Sequence, residues 1–166
     1  MVLYMLVFIK YYYSILLEYI IGVVRKMTYK EFKEKQSEEF NSFIKGKVII
    51  LLGSEEEALA KLEEENLTTS DIVNLGAGTY IIKKYLPEYE AFNKQQDKEY
   101  HEYLLNNVYE VVNTELWNYE TEISLSYSYN DVIYKIVGLT KEEAEANKVD
   151  VAKAIEDYKE EFYKLN

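Results

Sequence analysis

The stretch from Lys47 to Ile82 constrains the fold most, because a strand-length apolar run, a helix start and a glycine-flanked turn follow one another there. The run Val48–Leu52 lies between two glycines and is rich in β-branched residues, as is typical of a strand covered on both faces. Ser54-Glu55-Glu56-Glu57 has the pattern of a capping box, which predicts that a helix begins there and ends near Asn66, in a left-handed conformation.

Two further strands are predicted on either side of Gly76-Ala77-Gly78. Residues 72–75 and 79–82 are rich in β-branched and aromatic side chains, and the glycines between them permit the positive φ angles of a hairpin turn. Together with residues 47–52 they predict a small sheet in which the 47–52 strand is the buried centre.

The other segments mostly have helical periodicity. Thr28 and Glu31 form a second capping box, and Leu86-Pro87 opens another helix. From about Gln96 to Trp117 the apolar spacing predicts one long helix. Strict alternation then predicts a strand or extended loop at about 119–127.

The last part of the chain should also be helical. Asn130 is expected to cap a short helix that Gly138 ends, and Thr140-Lys141-Glu142-Glu143 is a third capping box. A final helix should run from about Asp150. The predicted fold class is therefore α+β, a small, mostly antiparallel three-stranded sheet packed against amphipathic helices with a helix-rich C-terminal half, in one domain over residues 27–166.

Residues 1–26 differ sharply in composition, because residues 2–24 carry only Lys10 and Glu18 as charges. The segment is long enough to span a bilayer, but each charge near the centre of a span costs about 2.5–3.5 kcal/mol. Three interpretations stay open: a gene start placed too early, since Met27 directly precedes a capped helix; a membrane anchor; or a helix packed on the domain. We expect a cytoplasmic protein, with the cations at Arg25, Lys26 and Lys30 on the cytoplasmic side if residues 1–26 are an anchor.

Composition narrows the function classes. The chain contains no cysteine, so disulfides and thiolate sites are excluded. Nineteen Lys and Arg against 30 Asp and Glu give a net charge of −11, which argues against direct binding to nucleic acid. The 18 tyrosines are typical either of the half-buried shell of an ordinary domain or of an interaction surface, because tyrosine combines apolar area with a polar tip. We expect a non-enzymatic protein that binds another protein through an acidic, tyrosine-bearing face, or alternatively an inhibitor that mimics nucleic acid and blocks a host defence or DNA-binding factor.

Motifs for catalysis are weak. His101 is the only histidine, and the position one turn after it is Leu105, so a two-histidine zinc motif is absent. Gly76-Ala77-Gly78 lacks the third glycine and the following helix of a dinucleotide site. The sequence predicts no cofactor and no metal site. A carboxylate-based hydrolase using Glu110 and Glu115, with Asn113 and His101 beside them, is the enzymatic alternative.

One polar cluster is the candidate binding site. It consists of Tyr109, Glu110, Asn113, Glu115 and Trp117. Because a carboxylate near a helix C-terminus is disfavoured by about 0.3–1 kcal/mol, a compensating contact is expected. We predict that Asn113 or Glu115 bonds backbone groups where the chain leaves the helix.

Several segments in this order resemble an uncharacterised family of small proteins from Gram-positive gut bacteria and their phages. They are Met27–Lys33, Asn74–Tyr80, Tyr109-Glu110, Asn113-Thr114-Glu115 and Val137–Thr140. The resemblance covers about residues 27–160 and implies a phage or mobile-element accessory role without implying an activity. The family usually has a histidine between the asparagine and the glutamate, where this chain has Thr114.

Overall fold

The computed structural model describes residues 26–51, 54–121 and 127–165. Its helices are α1 (Tyr29–Ile44), α2 (Glu55–Glu64), α3 (Leu86–Asn106), α4 (Val108–Asn118), α5 (Tyr129–Asp131), the π-helix π1 (Val132–Ile136), α6 (Lys141–Ala146) and α7 (Lys148–Leu165). Its strands are β1 (Val48–Ile50), β2 (Ile72–Gly76) and β3 (Thr79–Ile82), and 3₁₀ turns occupy Thr69–Asp71 and Lys83–Tyr85. The predicted α+β class is confirmed, with a small antiparallel sheet and a helix-rich C-terminal half.

The chain divides into two compact units, residues 1–35 and residues 36–166. In the first unit, the predicted capping box is present: the Thr28 N–H donates to the Glu31 carboxylate, and the Glu31 N–H donates to the Thr28 hydroxyl. Tyr29 and Phe32 are buried there. The three interpretations of the N-terminal segment concern residues 1–26, of which residues 1–25 lie outside the described residues.

In the second unit, the sheet has the order β1-β3-β2 with both pairings antiparallel, so β3 is its centre. The prediction that the Val48–Leu52 run is the centre is wrong. β1 is an edge strand in which Ile49 is buried while Ile50 is 51% exposed, and Ile81 of β3 is fully buried instead. A uniformly apolar run resembles a central strand in sequence, but strand order depends on pairings between distant segments.

A two-residue turn joins β2 to β3. Ala77 and Gly78 have φ angles of 48° and 74°, the combination that defines a type I′ hairpin turn. The predicted hairpin is therefore present. Ala77 is an unusual residue for this position, because positive φ angles strain the backbone of most residues, and Gly, Asn and Asp are the usual exceptions.

Both ends of α2 follow the prediction. The Ser54 hydroxyl accepts from the Glu57 N–H, and the Glu57 carboxylate accepts from the Ser54 N–H. At the other end Asn66 has a φ of 55°, and the Leu67 N–H returns to the Leu62 carbonyl at 2.8 Å. This is the hydrogen-bond pattern of a Schellman motif.

The predicted single helix from Gln96 to Trp117 is wrong, because Asn107 separates α3 from α4. Asn107 has φ −143° and ψ 32°, and its side-chain amide donates to the Tyr103 carbonyl at 2.6 Å. Asparagine competes in this way with helical backbone bonds. The apolar spacing continues on both sides of the break, so periodicity does not reveal it.

Of the strand or extended loop predicted at about 119–127, the described residues 119–121 and 127 form no strand. Trp117 and Asn118 still belong to α4, and residues 119–121 make a turn in which Glu120 has a φ of 44°. Residues 122–126 lie outside the described residues. The short helix that follows is capped by Ser128, whose side chain accepts from the Asp131 N–H, and not by Asn130 as predicted.

The C-terminal part holds most of the core. Gly138 ends π1 with a φ of 84°, and Thr140 forms the predicted capping box with Glu143 at the start of α6. The fully buried side chains include Leu104, Val111, Val112, Leu116, Val132, Val137, Ala154 and Tyr158. These come from α3, α4, π1 and the residue after it, and α7, so this part of the core consists of helices packed on one another. Within residues 26–51, 54–121 and 127–165, no helix is both long and apolar enough to cross a membrane.

Candidate functional site

Three of the five candidate residues lie on the face of α4 that packs against α7, and the first is Tyr109. Its hydroxyl donates to the Asp157 carboxylate at 2.7 Å. Lys153, one turn before Asp157 on α7, binds the same carboxylate oxygen and lies 5.1 Å from the centre of the Tyr109 ring. A phenol, a carboxylate and an ammonium group therefore form one contact between α4 and α7.

These contacts shift the pKa values of all three groups. The hydrogen bond to Asp157 raises the pKa of Tyr109, because the proton is held between two oxygens. The hydrogen bond from Lys153, followed by that from Tyr109, lowers the pKa of Asp157. Asp157 in turn raises the pKa of Lys153. At neutral pH the tyrosine stays protonated and serves as a donor.

Asn113 and Trp117 continue the same contact at intervals of four residues. The Asn113 amide donates to the Ala154 carbonyl at 3.1 Å, and the Trp117 ring meets the Tyr158 ring edge to face with 4.8 Å between centroids. Asn113 does bond a backbone group, as predicted for Asn113 or Glu115. That group belongs to α7, however, and not to the segment where the chain leaves α4.

The two candidate carboxylates have other partners. Glu110 accepts a hydrogen bond from the Tyr103 hydroxyl at 3.2 Å, and Glu115 accepts one from the Asn118 amide at 3.1 Å. Thr114, the residue between Asn113 and Glu115, donates to the Glu110 carbonyl on its own helix. The structure therefore brings Tyr109, Asn113 and Trp117 together against α7 and gives Glu110 and Glu115 separate contacts.

His101 belongs to another contact. Its Nε2 lies 3.0 Å from Oε1 of Glu143, whose other oxygen accepts the Thr140 N–H at the start of α6. That backbone hydrogen bond is the main reason why the pKa of Glu143 is lowered. Nearby on α3, the Tyr100 hydroxyl donates to the Val137 carbonyl at 3.0 Å. His101 thus joins α3 to the start of α6.

No group of three or more His, Asp or Glu side chains among residues 26–51, 54–121 and 127–165 is arranged to hold a metal ion. Gly76 and Gly78 lie in a hairpin turn between strands. A hairpin turn has no helix N-terminus to aim at a phosphate group.

A groove between the second half of α1 and the first half of α3 was not anticipated from the sequence. Glu38, Glu39, Ser42, Phe43 and Phe92 line an open depression of about 560 Å³. The Phe43 and Phe92 rings are stacked with 4.5 Å between centroids. We call this surface the aromatic groove.

Phe40 borders the aromatic groove with an exposed ring. It is 38% exposed, and its centroid lies 6.3 Å from that of Phe92. Phe40 and Phe43 lie three positions apart on one face of α1. The nearness of Phe40 to Glu38 and Glu39 in the sequence is the signal that could have identified this surface.

Lys47 occupies the side of Phe43 away from Phe92. Its ammonium group lies 4.0 Å from the centre of the Phe43 ring and 5.5 Å from that of Tyr85, and it binds the Glu88 carboxylate at 2.8 Å. A cation over an aromatic face contributes about 0.5–2 kcal/mol, depending on exposure. Lys47 therefore joins the start of α3 to the end of α1.

Comparisons of the chain with protein-family models, with curated proteins and with solved protein structures find no match. The contacts and charges of the chain itself are therefore the basis for assigning a function.

Proposed function

We propose that this protein is a non-enzymatic binding protein that recognises another protein through the aromatic groove. The groove is acidic, through Glu38 and Glu39, and a tyrosine lies beside it, since the Tyr89 ring is 6.4 Å from that of Phe43. This proposal retains the accessory role that the family resemblance implies.

The observation that supports this proposal is the combination of exposed phenylalanine with carboxylates on a concave surface. Large aromatic side chains that stay partly exposed beside polar residues are typical of protein interfaces, where they supply most of the binding free energy. Phe40, Phe43 and Phe92 meet this description, because their rings form one cluster that is open to solvent on one side.

The four groups of the enzymatic alternative do not support catalysis in the same way. His101 binds Glu143, Asn113 binds the α7 backbone, and Glu110 and Glu115 have contacts of their own. A hydrolase needs an acid and a base that face one substrate position. These contacts do not bring the four side chains together around one substrate position.

The experiment places a photo-crosslinking amino acid at position 40 of the full chain, and at position 149 as the control. Val149 is 75% exposed on α7 and does not line the groove. We expect a discrete adduct from position 40 that is absent from position 149. The cross-linked partner, once purified, should bind the wild-type chain and lose most of its affinity for Phe40→Ser and for Glu38→Lys.

Equal cross-linking from both positions would overturn the proposal, and so would unchanged affinity of the purified partner for both groove variants. Val149→Ser and Glu63→Lys serve as matched controls, because they make the same kinds of change at exposed positions outside the groove.

A further inference from the structure

The contacts between α1 and α3 fix the length of segment that the aromatic groove can hold. Gln36 donates to the Gln96 carbonyl at one end, and Phe43 meets Tyr89 at the other, so the two helices run antiparallel. The eight residues from Gln36 to Phe43 correspond to about two helical turns, or roughly 10 Å. A surface of this length fits a short segment of a partner.

The floor of the groove defines an apolar anchor. Phe43 and Phe92 are stacked nearly parallel, with 11° between their planes, so their ring faces cover each other and their edges lie beside the exposed ring of Phe40. The depression of about 560 Å³ is open. Because it is shallow, it can hold one large apolar side chain, the usual anchor of an interface, against the aromatic rings.

The wall of the groove is acidic, and one carboxylate is positioned by the fold. Glu39 accepts a hydrogen bond from the Gln96 side-chain amide at 2.7 Å, while the Gln96 carbonyl accepts from Gln36 at 3.1 Å. Glu38 lies beside it, exposed. The chain as a whole carries a net charge of −11, so its long-range field attracts cations to this surface and repels anions.

We infer that the aromatic groove binds a short basic segment in which a large apolar side chain is flanked by Lys or Arg. This inference rests on the proposed function and specifies its partner. The apolar side chain packs against the exposed Phe40 ring and the edges of the Phe43 and Phe92 rings, and the neighbouring cations meet Glu38 and Glu39. Lys47 shows the same chemistry within the chain, since its ammonium group lies over Phe43 and binds Glu88.

The test measures fluorescence anisotropy with the full-length protein and three labelled helical peptides of equal length. One presents leucine on one face with lysines directly beside the leucines, the second replaces each lysine with glutamate, and the third replaces each leucine with serine. We expect only the leucine–lysine peptide to bind. Its affinity should fall with added salt, because the Debye length shortens from about 10 Å at 0.1 M to about 3 Å at 1 M.

Groove variants locate the binding. Phe40→Ser should weaken the binding of the leucine–lysine peptide about tenfold, because it removes an apolar anchor. The double variant Glu38→Gln and Glu39→Gln should weaken the binding about fivefold, because it removes partly exposed ion pairs. The pair Glu63→Gln and Glu64→Gln on α2 changes the net charge equally and should leave the affinity unchanged. Circular dichroism melts confirm that each variant is folded.

The outcomes separate this inference from the proposed function. Equal binding of the leucine–glutamate peptide, or full affinity for the Glu38→Gln and Glu39→Gln pair, would overturn the basic character of the partner. So would failure of every peptide to bind while the adduct from position 40 still forms, and in that case the proposed function would stand. Failure of the peptides together with the absence of a specific adduct would overturn both.

Discussion

Replacing Asn113 tests whether the candidate cluster joins α4 to α7. The Asn113 amide lies 3.1 Å from the carbonyl of Ala154, a fully buried residue inside α7. That carbonyl also accepts the normal helical hydrogen bond, so Asn113→Ala removes a bond without leaving the acceptor unpaired. The expected loss is about 1 kcal/mol, the net value of one hydrogen bond. In a chain of this length it lowers the melting temperature by about 2–4 °C.

Asn113→Asp should destabilise the protein more than Asn113→Ala does. It places a carboxylate next to the Ala154 carbonyl, and neither group can donate a hydrogen bond to the other. We expect a loss of about 2–3 kcal/mol at neutral pH, which includes the desolvation of an unpaired group. The protonated carboxyl can donate again, so its pKa should be higher in the folded than in the unfolded state. A group of this kind stabilises below its unfolded pKa of about 3.9, and its contribution is lost as pH rises through the folded pKa. The difference in stability from wild type should therefore narrow on acidification to about pH 4.

Thermal unfolding followed by circular dichroism at both pH values measures these effects, with Thr114→Ala as the control. The Thr114 hydroxyl donates to the Glu110 carbonyl on its own helix, so its loss should change stability by no more than about 0.5 kcal/mol. The reasoning would be refuted if Asn113→Ala melted like wild type, or if acidification widened the gap between Asn113→Asp and wild type.

Three further predictions concern other parts of the structure. Ala77→Asn should raise the free energy of unfolding, measured by urea denaturation, by about 0.5–1 kcal/mol, because a φ of 48° strains alanine more than asparagine. An unchanged free energy of unfolding would contradict the type I′ turn. The hydrogen bond from Lys135 lowers the pKa of Asp131, so this carboxylate stabilises the fold above its unfolded pKa and the contribution is lost as pH falls through the folded pKa. Its carboxyl ¹³C titration should move to higher pH in Lys135→Ala, and an unmoved midpoint would contradict the pairing. Tyr158→Leu should lower the free energy of unfolding by about 2 kcal/mol and change the fluorescence emission of Trp117, the single tryptophan. An unchanged emission spectrum would contradict the contact between the two rings.

Features that depend on a few neighbouring residues were predictable from the sequence. The capping boxes at Thr28, Ser54 and Thr140 are all present, and Asn66 and Gly138 have the expected positive φ angles. Each requires only that a side chain reach a backbone group three residues away, or that one residue tolerate a left-handed conformation. Such rules hold regardless of how the rest of the chain packs.

Strand order and the helix break at Asn107 were not predictable in the same way. The pairing of Val48 with Ile81 joins segments far apart in sequence, and an apolar edge strand has the same composition as a central one. At Asn107 the apolar period continues unbroken from Leu104 to Val108, so only the local competition of the asparagine side chain marks the end of α3. Hydrophobic periodicity reports which face is buried, and it does not report where a helix ends.

The candidate cluster was identified by residue type, and its partners could not be foreseen. Tyr109, Asn113 and Trp117 share one face of α4 at helical spacing, which the sequence does show. Whether such a face meets solvent or another helix depends on α7, which begins some 30 positions later in the chain. The aromatic groove has the same origin, because it exists only where α1 and α3 come together.

The contact between Lys61 and the edge of β1 limits how far the sheet can grow. The Lys47 carbonyl accepts from the Ile82 N–H of β3, and the Leu51 N–H donates to the Gly78 carbonyl just before β3. The Val48 and Ile50 backbone groups between them therefore point away from β3. An exposed row of such groups can recruit a strand from another molecule and begin aggregation. The Lys61 ammonium group donates to the Ile50 carbonyl at 2.8 Å and places a charge there. The sheet is thereby protected at this edge against intermolecular strand pairing.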